Sequence, residues 1–183
     1  MLTFSSLNVT LILTHLAKAQ TAGKCRFIGV SNYSVPLLME MESYANVMPA
    51  VNQLECHPRY ASPALQMYAQ ERGIHLTAYG TGNSVLIEKG NAVVQQIAAK
   101  HGITQLAVVL RWTLSKGIST IPRSGSAEHI RENFIQAALA LEKGPKSLLP
   151  SDDIAQLDAL HEAHPYYWSP IPLLAPEDWG RAL

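Results

Sequence analysis

Gly-Lys-Cys-Arg-Phe-Ile-Gly-Val-Ser-Asn, residues 23–32, is the stretch on which the fold turns. An apolar run (Phe27, Ile28, Val30) closes on two small polar residues, Ser31 and Asn32. The same pattern returns at Ala50-Val51-Asn52-Gln53-Leu54 before Glu55-Cys56-His57-Pro58, and at Ile74-His75-Leu76-Thr77-Ala78 before Tyr79-Gly80-Thr81-Gly82. It returns again at Ile118-Ser119-Thr120-Ile121 before Pro122-Arg123-Ser124-Gly125-Ser126. Short apolar runs that end in hydrogen-bonding groups are strands whose C-terminal ends carry a site. Four such strands are predicted, half the number in a closed (β/α) barrel.

Helical periodicity fills the gaps between the runs, so the strands are parallel and covered by helices. The first helix after a strand is predicted over Val35–Ala45, with Leu38, Met41 and Ala45 on one face. Pro63–Arg72 follows the second strand, opened by Pro63 and stopped by Gly73. After the third strand, Asn91–Lys100 presents Val93, Val94, Ile97 and Ala98 on one side. Thr104 caps a helix with a Leu106, Val109, Leu110, Leu114 stripe that ends at Gly117. Ser126 caps a helix carrying Ile130 and Phe134, and Leu149-Pro150-Ser151-Asp152-Asp153 opens a last one with Ile154, Leu157 and Leu160 inward. At the start, Leu13, Leu16 and Ala19 favour a helix over a strand at Val9–Leu13.

The expected organisation is an N-terminal helical segment (1–22), an α/β parallel half-barrel (23–163) and a proline- and aromatic-rich tail (164–183). Pro165, Pro170, Pro172 and Pro176 oppose regular structure in that tail, and Tyr166, Tyr167, Trp168 and Trp179 make it adhesive. It is expected to pack over a barrel mouth or against a partner.

Composition narrows the function. Of the 183 residues 48% are hydrophobic and only 15% charged, which implies extensive burial or a surface that meets another surface. A net charge of zero argues against a nucleic-acid partner or an anionic membrane held by charge. No apolar run approaches the length of a membrane span. Ala17-Lys18-Ala19 imitates a cleavage site, but no Lys or Arg opens the chain and His15 interrupts the apolar region, so a secretory leader is not expected. Cys25 and Cys56 lack metal-site spacing and read as free thiols of a cytoplasmic protein.

Local chemistry points to a bound small molecule. Arg123, Ser124 and Ser126 surround a helix start whose free N–H groups attract anions, phosphate above all; an ordinary capped helix with a surface Arg is the alternative. Ser31, Asn32 and Gln53 could pair with a planar carboxamide, or simply cap turns. Tyr79 could stack on a flat ring, or pack in the core. His57, two residues after Glu55, reads as structural rather than as a catalytic acid or base.

Taken together, four runs resemble the aldo-keto reductases, NADPH-dependent (β/α)8 barrels: Gly-Lys-Cys-Arg-Phe-Ile-Gly-Val-Ser-Asn-Tyr, Pro-Ala-Val-Asn-Gln-Leu-Glu-Cys-His-Pro, Leu-Thr-Ala-Tyr, and Ile-Pro-Arg-Ser-Gly-Ser-Ala-Glu-His-Ile-Arg-Glu-Asn-Phe. The resemblance spans about residues 23–160 and covers the C-terminal half of the family's barrel. It implies that Ser31, Asn32 and Gln53 hold the nicotinamide carboxamide and that Tyr79 stacks on its ring. It further implies that Arg123, Ser124 and Ser126 form the 2′-phosphate pocket of NADP(H), that Glu132 and Asn133 face the adenine end, and that His129 belongs to the cofactor site. Asn32, Gln53, Tyr79 and Arg123 are then expected to face one hollow.

Two departures stand out. The family's Ser-Pro-Leu-Gly loop reads Gly80-Thr81-Gly82-Asn83, which implies a weaker clamp, and His129 replaces a common Arg. The family's catalytic Tyr, Lys and Asp lie on the other half of the barrel and match no position here, so no catalytic residue and no metal ligand is assigned. His15 matches the remaining catalytic His only on the strand reading of its segment. The implied function is that of an NADP(H)-dependent oxidoreductase reducing carbonyls to alcohols, cut down to its cofactor-binding half. A non-catalytic NADPH-binding or structural half-barrel is the alternative. A small-molecule carbonyl substrate is expected only if a complete barrel forms. Open sheet edges imply self-association or pairing with a complementary half.

Overall fold

The computed structural model describes residues 4–82, 90–144 and 148–163. Helix α1 (Phe4–Thr21) precedes strand β1 (Gly29–Ser31), α2 (Val35–Glu42), β2 (Val51–Glu55), α3 (Pro63–Glu71) and β3 (His75–Tyr79). Then come α4 (Ala92–His101), α5 (Gln105–Ser115), β4 (Ser119–Thr120), α6 (Ala127–Lys143) and α7 (Ser151–Ala163). The strands form one open parallel sheet in the order β1-β2-β3-β4, as the half-barrel reading expects. The tail at 164–183 and Asn83 of the glycine-rich loop fall outside the described residues. No described helix is long and apolar enough to cross a membrane.

The chain divides into two compact units. Among described residues, 4–53 and 63–75 form the first, and 54–62 with 76–163 the second.

In the first unit, β1 pairs with β2 in the register Gly29↔Val51 and Ser31↔Gln53. Gly29 is required by contact: a Cβ there would lie 2.9 Å from the Val51 carbonyl oxygen. The strand is shorter than the apolar run. Ile28 is buried, but Phe27 is 68% exposed, because its side chain precedes the paired segment. Helix α2 begins on Ser34, whose hydroxyl accepts the Leu37 N–H, and Pro36 occupies its first turn. It stops at Glu42, three residues short of Ala45. There the Ser43 hydroxyl and N–H both return to the Glu40 carbonyl and tighten the last turn. Leu38 and Met41 of α2, and Leu65 and Ala69 of α3, are all buried. Each large apolar side chain so buried contributes about 1.5–3 kcal/mol. At the edge of this contact the Glu42 carboxylate accepts from both Tyr68 Oη and Arg72 Nε, at 2.7 Å each. The N-terminal segment is helical, but of Leu13, Leu16 and Ala19 only Leu13 is buried.

In the second unit, β3 pairs with β4 in the register Thr77↔Ser119. Asn91 caps α4 by accepting the Val93 and Val94 N–H groups, and Thr104 caps α5 by accepting that of Ala107. Behind the strands lie Val94 and Ile97 of α4, Val108, Leu110 and Trp112 of α5, and Leu157 of α7. Trp112 is sealed from solvent and its indole N–H donates to Asp158 at 2.8 Å. Asp153, in the first turn of α7, is buried. It accepts from Lys100 Nζ (2.8 Å) and His101 Nε2 (2.6 Å), which fastens the start of α7 to the end of α4. The His101 bond, then the Lys100 bond, hold this carboxyl below the usual range. On α6 the residues Ile130 and Phe134 face outward, with Leu141 a further two turns along.

Candidate functional site

The first unit contributes the end of β1. Asn32 adopts a left-handed backbone (φ 60°), a conformation that Asn tolerates better than most residues. This turn is fixed from β2 at two points. The Gln53 carbonyl accepts both the Asn32 N–H (2.8 Å) and the Ser31 hydroxyl (2.9 Å). One residue away, Asn52 is fully buried: Oδ1 accepts the Tyr33 N–H (3.3 Å) and Nδ2 donates to the Tyr33 carbonyl (2.8 Å). Alternation along β2 puts Asn52 with buried Leu54 on one face and leaves the Gln53 side chain exposed on the other. Ser31 is also exposed and Asn32 half-buried. Thus Ser31, Asn32 and Gln53 lie side by side at paired strand ends, and two amides with a hydroxyl can meet a planar carboxamide there.

Sequence reasoning chose Asn32 and Gln53 and passed over Asn52. The available signal was a polar residue on the apolar face of a strand, which folds only if its amide finds partners.

The second unit contributes the ends of β3 and β4. Tyr79 is half-buried at the end of β3, and Gly80 follows with φ +69°. A Cβ on Gly80 would meet the Glu55 side chain at 3.3 Å. Thr81 is completely buried, its hydroxyl 3.5 Å from that of Thr120. Glu55 and His57 form a buried pair, His57 Nε2 lying 3.2 Å from Glu55 Oε1. The carboxylate that spacing alone did not secure for His57 is therefore its direct partner. His57 is 1% exposed. Burial pushes the neighbouring Cys56 thiol up to about 12, so it stays protonated.

After β4 the chain makes the turn that begins α6. Ser124 Oγ accepts the Ser126 N–H at 3.1 Å, and Ser126 Oγ accepts the His129 N–H at 3.5 Å. Arg123 is exposed beside this turn. A cation and a helix start with free N–H groups thus share one surface, as an anion requires.

One turn into α6, His129 and Glu132 open onto a cleft of about 630 Å³ that Gly82, Gln95, Thr104 and Leu106 also line. Its lining is part apolar (Ala98, Ile103, Leu106) and part polar, and its volume lies in the range of small-molecule sites. Asn133 goes elsewhere. It borders a separate cavity of about 190 Å³ with Thr120 and Pro122, and its Oδ1 is buried without a partner among the described residues. The structure therefore brings His129 and Glu132 together and sets Asn133 apart.

These features fit the adenosine end of a phosphorylated dinucleotide. The hydroxyl-rich helix start offers a phosphate subsite, and the apolar part of the lining offers a surface for a flat base. No group of three or more His, Cys, Asp or Glu residues placed to hold a metal occurs among the described residues.

Comparison with known proteins supplies the family. The family model described as "Aldo/keto reductase family" matches residues 4–162, so the match takes in α1 as well as the four strands. The NAD(P)H-dependent D-xylose reductase of Scheffersomyces stipitis is 36% identical over 172 residues, which cover 86% of this chain and 52% of that protein. Aldose reductase B of Dictyostelium discoideum is 40% identical over 115 residues, covering 61% of this chain and 36% of that protein. Among solved structures, the aldose reductase of Giardia lamblia superposes with a TM-score of 0.73 at 27% identity, covering 85% of this chain and 51% of that one. The chain spans about half the length of the curated xylose reductases it matches.

Proposed function

This chain belongs to the aldo/keto reductase family, and from that premise we propose that it binds NADP(H) and supplies the cofactor-gripping half of a carbonyl-reducing barrel. The cofactor would bring the hydride. Ser31, Asn32 and Gln53 would orient the carboxamide, and Tyr79 would cover the nicotinamide ring. Arg123, Ser124 and Ser126 would take the 2′-phosphate, and His129 and Glu132 the adenine end. The observation that carries the reading is the cleft shared by His129 and Glu132, one helical turn from the Ser124–Ser126 turn with Arg123 alongside. A 2′-phosphate on that surface favours NADPH over NADH. The xylose reductases similar to this chain carry NAD(P)H dependence in their names, and the chain's own preference is part of the proposal.

Carbonyl reduction also needs a proton donor within reach of the substrate oxygen. We assign that role to no described strand-end residue, the buried His57 included. By itself the chain is therefore proposed to bind without turnover. Small aldehydes or ketones become substrates only in a completed barrel. The open edges of β1 and β4 favour self-association or pairing with a complementary (β/α) half, in the cytoplasm.

Calorimetric titration of the purified chain with NADPH and, in parallel, NADH tests the reading. Saturable binding with NADPH the tighter ligand is expected, along with no loss of NADPH absorbance when a simple aldehyde is added. Absence of saturable binding by either cofactor would refute the proposal.

A further inference from the structure

Helix α6 leaves one face without a partner among the described residues. Gln136 and Ala140 turn inward and are buried. On the opposite side Ile130, Phe134 and Leu141 are 54%, 71% and 89% exposed. At about 100° per residue these three fall on one stripe, with Ala127 and Ala138 between them. A contiguous apolar stripe rimmed by charge marks a contact surface. Its rim here is Arg131 and Glu142, on the same flank, both exposed and in no ion pair among the described residues.

These positions complement themselves when the helix is reversed. Lay a second α6 antiparallel on the first, with the two-fold axis level with Gln136. Phe134 then opposes the partner's Ala138, large against small. Ile130 opposes the partner's Leu141. In an antiparallel pair each flank meets its own counterpart, so Arg131 opposes the partner's Glu142, and the symmetry repeats every contact. A parallel pairing would set Phe134 against its own copy and leave the two charges on opposite edges. The opposite charges of Arg131 and Glu142 cancel, so this flank has no net attraction for an anionic membrane.

We propose that this face of α6 is an isologous interface on which a second copy of the chain docks its own α6 antiparallel. The inference is independent of the cofactor reading. It also differs from pairing through open strand edges, because helix side chains rather than backbone groups carry it.

Sedimentation velocity over a dilution series tests it, on the wild-type chain, Leu141→Asp, Arg131→Glu, Glu142→Arg, and an equimolar mixture of the last two. All three positions are exposed, so thermal midpoints by circular dichroism should stay close to wild type. The wild-type chain should dimerise reversibly. Leu141→Asp should weaken the dimer by about tenfold or more. Each charge variant alone sets like charges opposite each other and should weaken it by a similar factor at low salt. In the mixture every flank pair is again of opposite sign, so the heterodimer should form about as tightly as the wild type. A monomeric wild-type chain would give the face to the chain's own tail or to a different protein, and would overturn the proposal. So would a mixture that associates no more tightly than either variant alone. A dimer indifferent to all three substitutions would assign self-association to the strand edges and overturn this interface alone.

Discussion

Replacing Asn52 by alanine should cost far more than removing a polar residue from an ordinary strand. The side chain is fully buried and closes two hydrogen bonds on one residue, taking the Tyr33 N–H at 3.3 Å and giving to the Tyr33 carbonyl at 2.8 Å. Each such bond is worth about 1 kcal/mol net, and each orphaned buried partner costs about 1–3 kcal/mol. Tyr33 is half-buried, so water recovers part of the loss and the lower end applies. A destabilisation of about 2–3 kcal/mol follows, which lowers the thermal midpoint by roughly 4–12 °C for a chain of this size. On the proposed cofactor reading the loss is also functional. The Tyr33 peptide follows the left-handed Asn32, so loosening it frees the Asn32 amide and should weaken NADPH binding more than 2′,5′-ADP binding. Urea unfolding followed by circular dichroism, with parallel titrations of both ligands, measures the two effects. Asn52→Asp is the control. It retains an acceptor but buries a charge, so it should be the worse variant at pH 7 and partly recover near pH 5 as the carboxyl takes up a proton. A change below about 0.5 kcal/mol in Asn52→Ala, the scatter of surface substitutions, would show that the clamp does not hold the turn.

Three further outcomes follow from the packing. Asp153 has its pKa depressed by His101 and Lys100. Its contribution is therefore present above the unfolded carboxylate pKa and fades as pH falls through the folded one; Asp153→Asn should lose about 2 kcal/mol near pH 7 and show a flatter acid limb in pH-dependent unfolding. Gly80→Ala combines a positive φ with a Cβ 3.3 Å from the Glu55 side chain, and should destabilise by about 1–2 kcal/mol by chemical denaturation. Cys56, buried with its thiol pushed up to about 12, should resist a thiol reagent in the folded chain while Cys25, half-exposed, reacts; equal rates under native conditions would contradict the packing around β2.

Most of the architecture was legible because it is written in repeating chemistry. Four apolar runs with polar ends, separated by helical stripes, yielded the parallel strands and their order. Capping residues were readable one by one: Thr104 and Ser126 do what their hydroxyls suggest. Boundaries were less so. The end of α2 depends on Ser43 bonding back to Glu40, a local contest between side chain and helix that periodicity does not register. Strand β4 is only two residues long, although its apolar run is longer, since pairing and apolarity are separate properties.

Among the candidate residues, types that announce their chemistry, such as Arg123 or Tyr79, could be proposed from their positions at strand ends. Residues that act through a third party could not. Asn52 bonds the Tyr33 peptide and Thr104, besides its cap, bonds Glu132, and both links join segments far apart in the chain. Asn133 adjoins Glu132 in sequence yet lines another cavity, because successive helical residues point about 100° apart.

Position 53 divides its labour in a way that matters for how such a protein can change. Its main-chain oxygen, with both lone pairs taken by Ser31 and Asn32, fastens one strand to the next using atoms that every amino acid possesses. Its side chain stands clear of that duty. Substitutions there can explore new ligands without disturbing the register beneath them, so recognition can drift while the scaffold stays still.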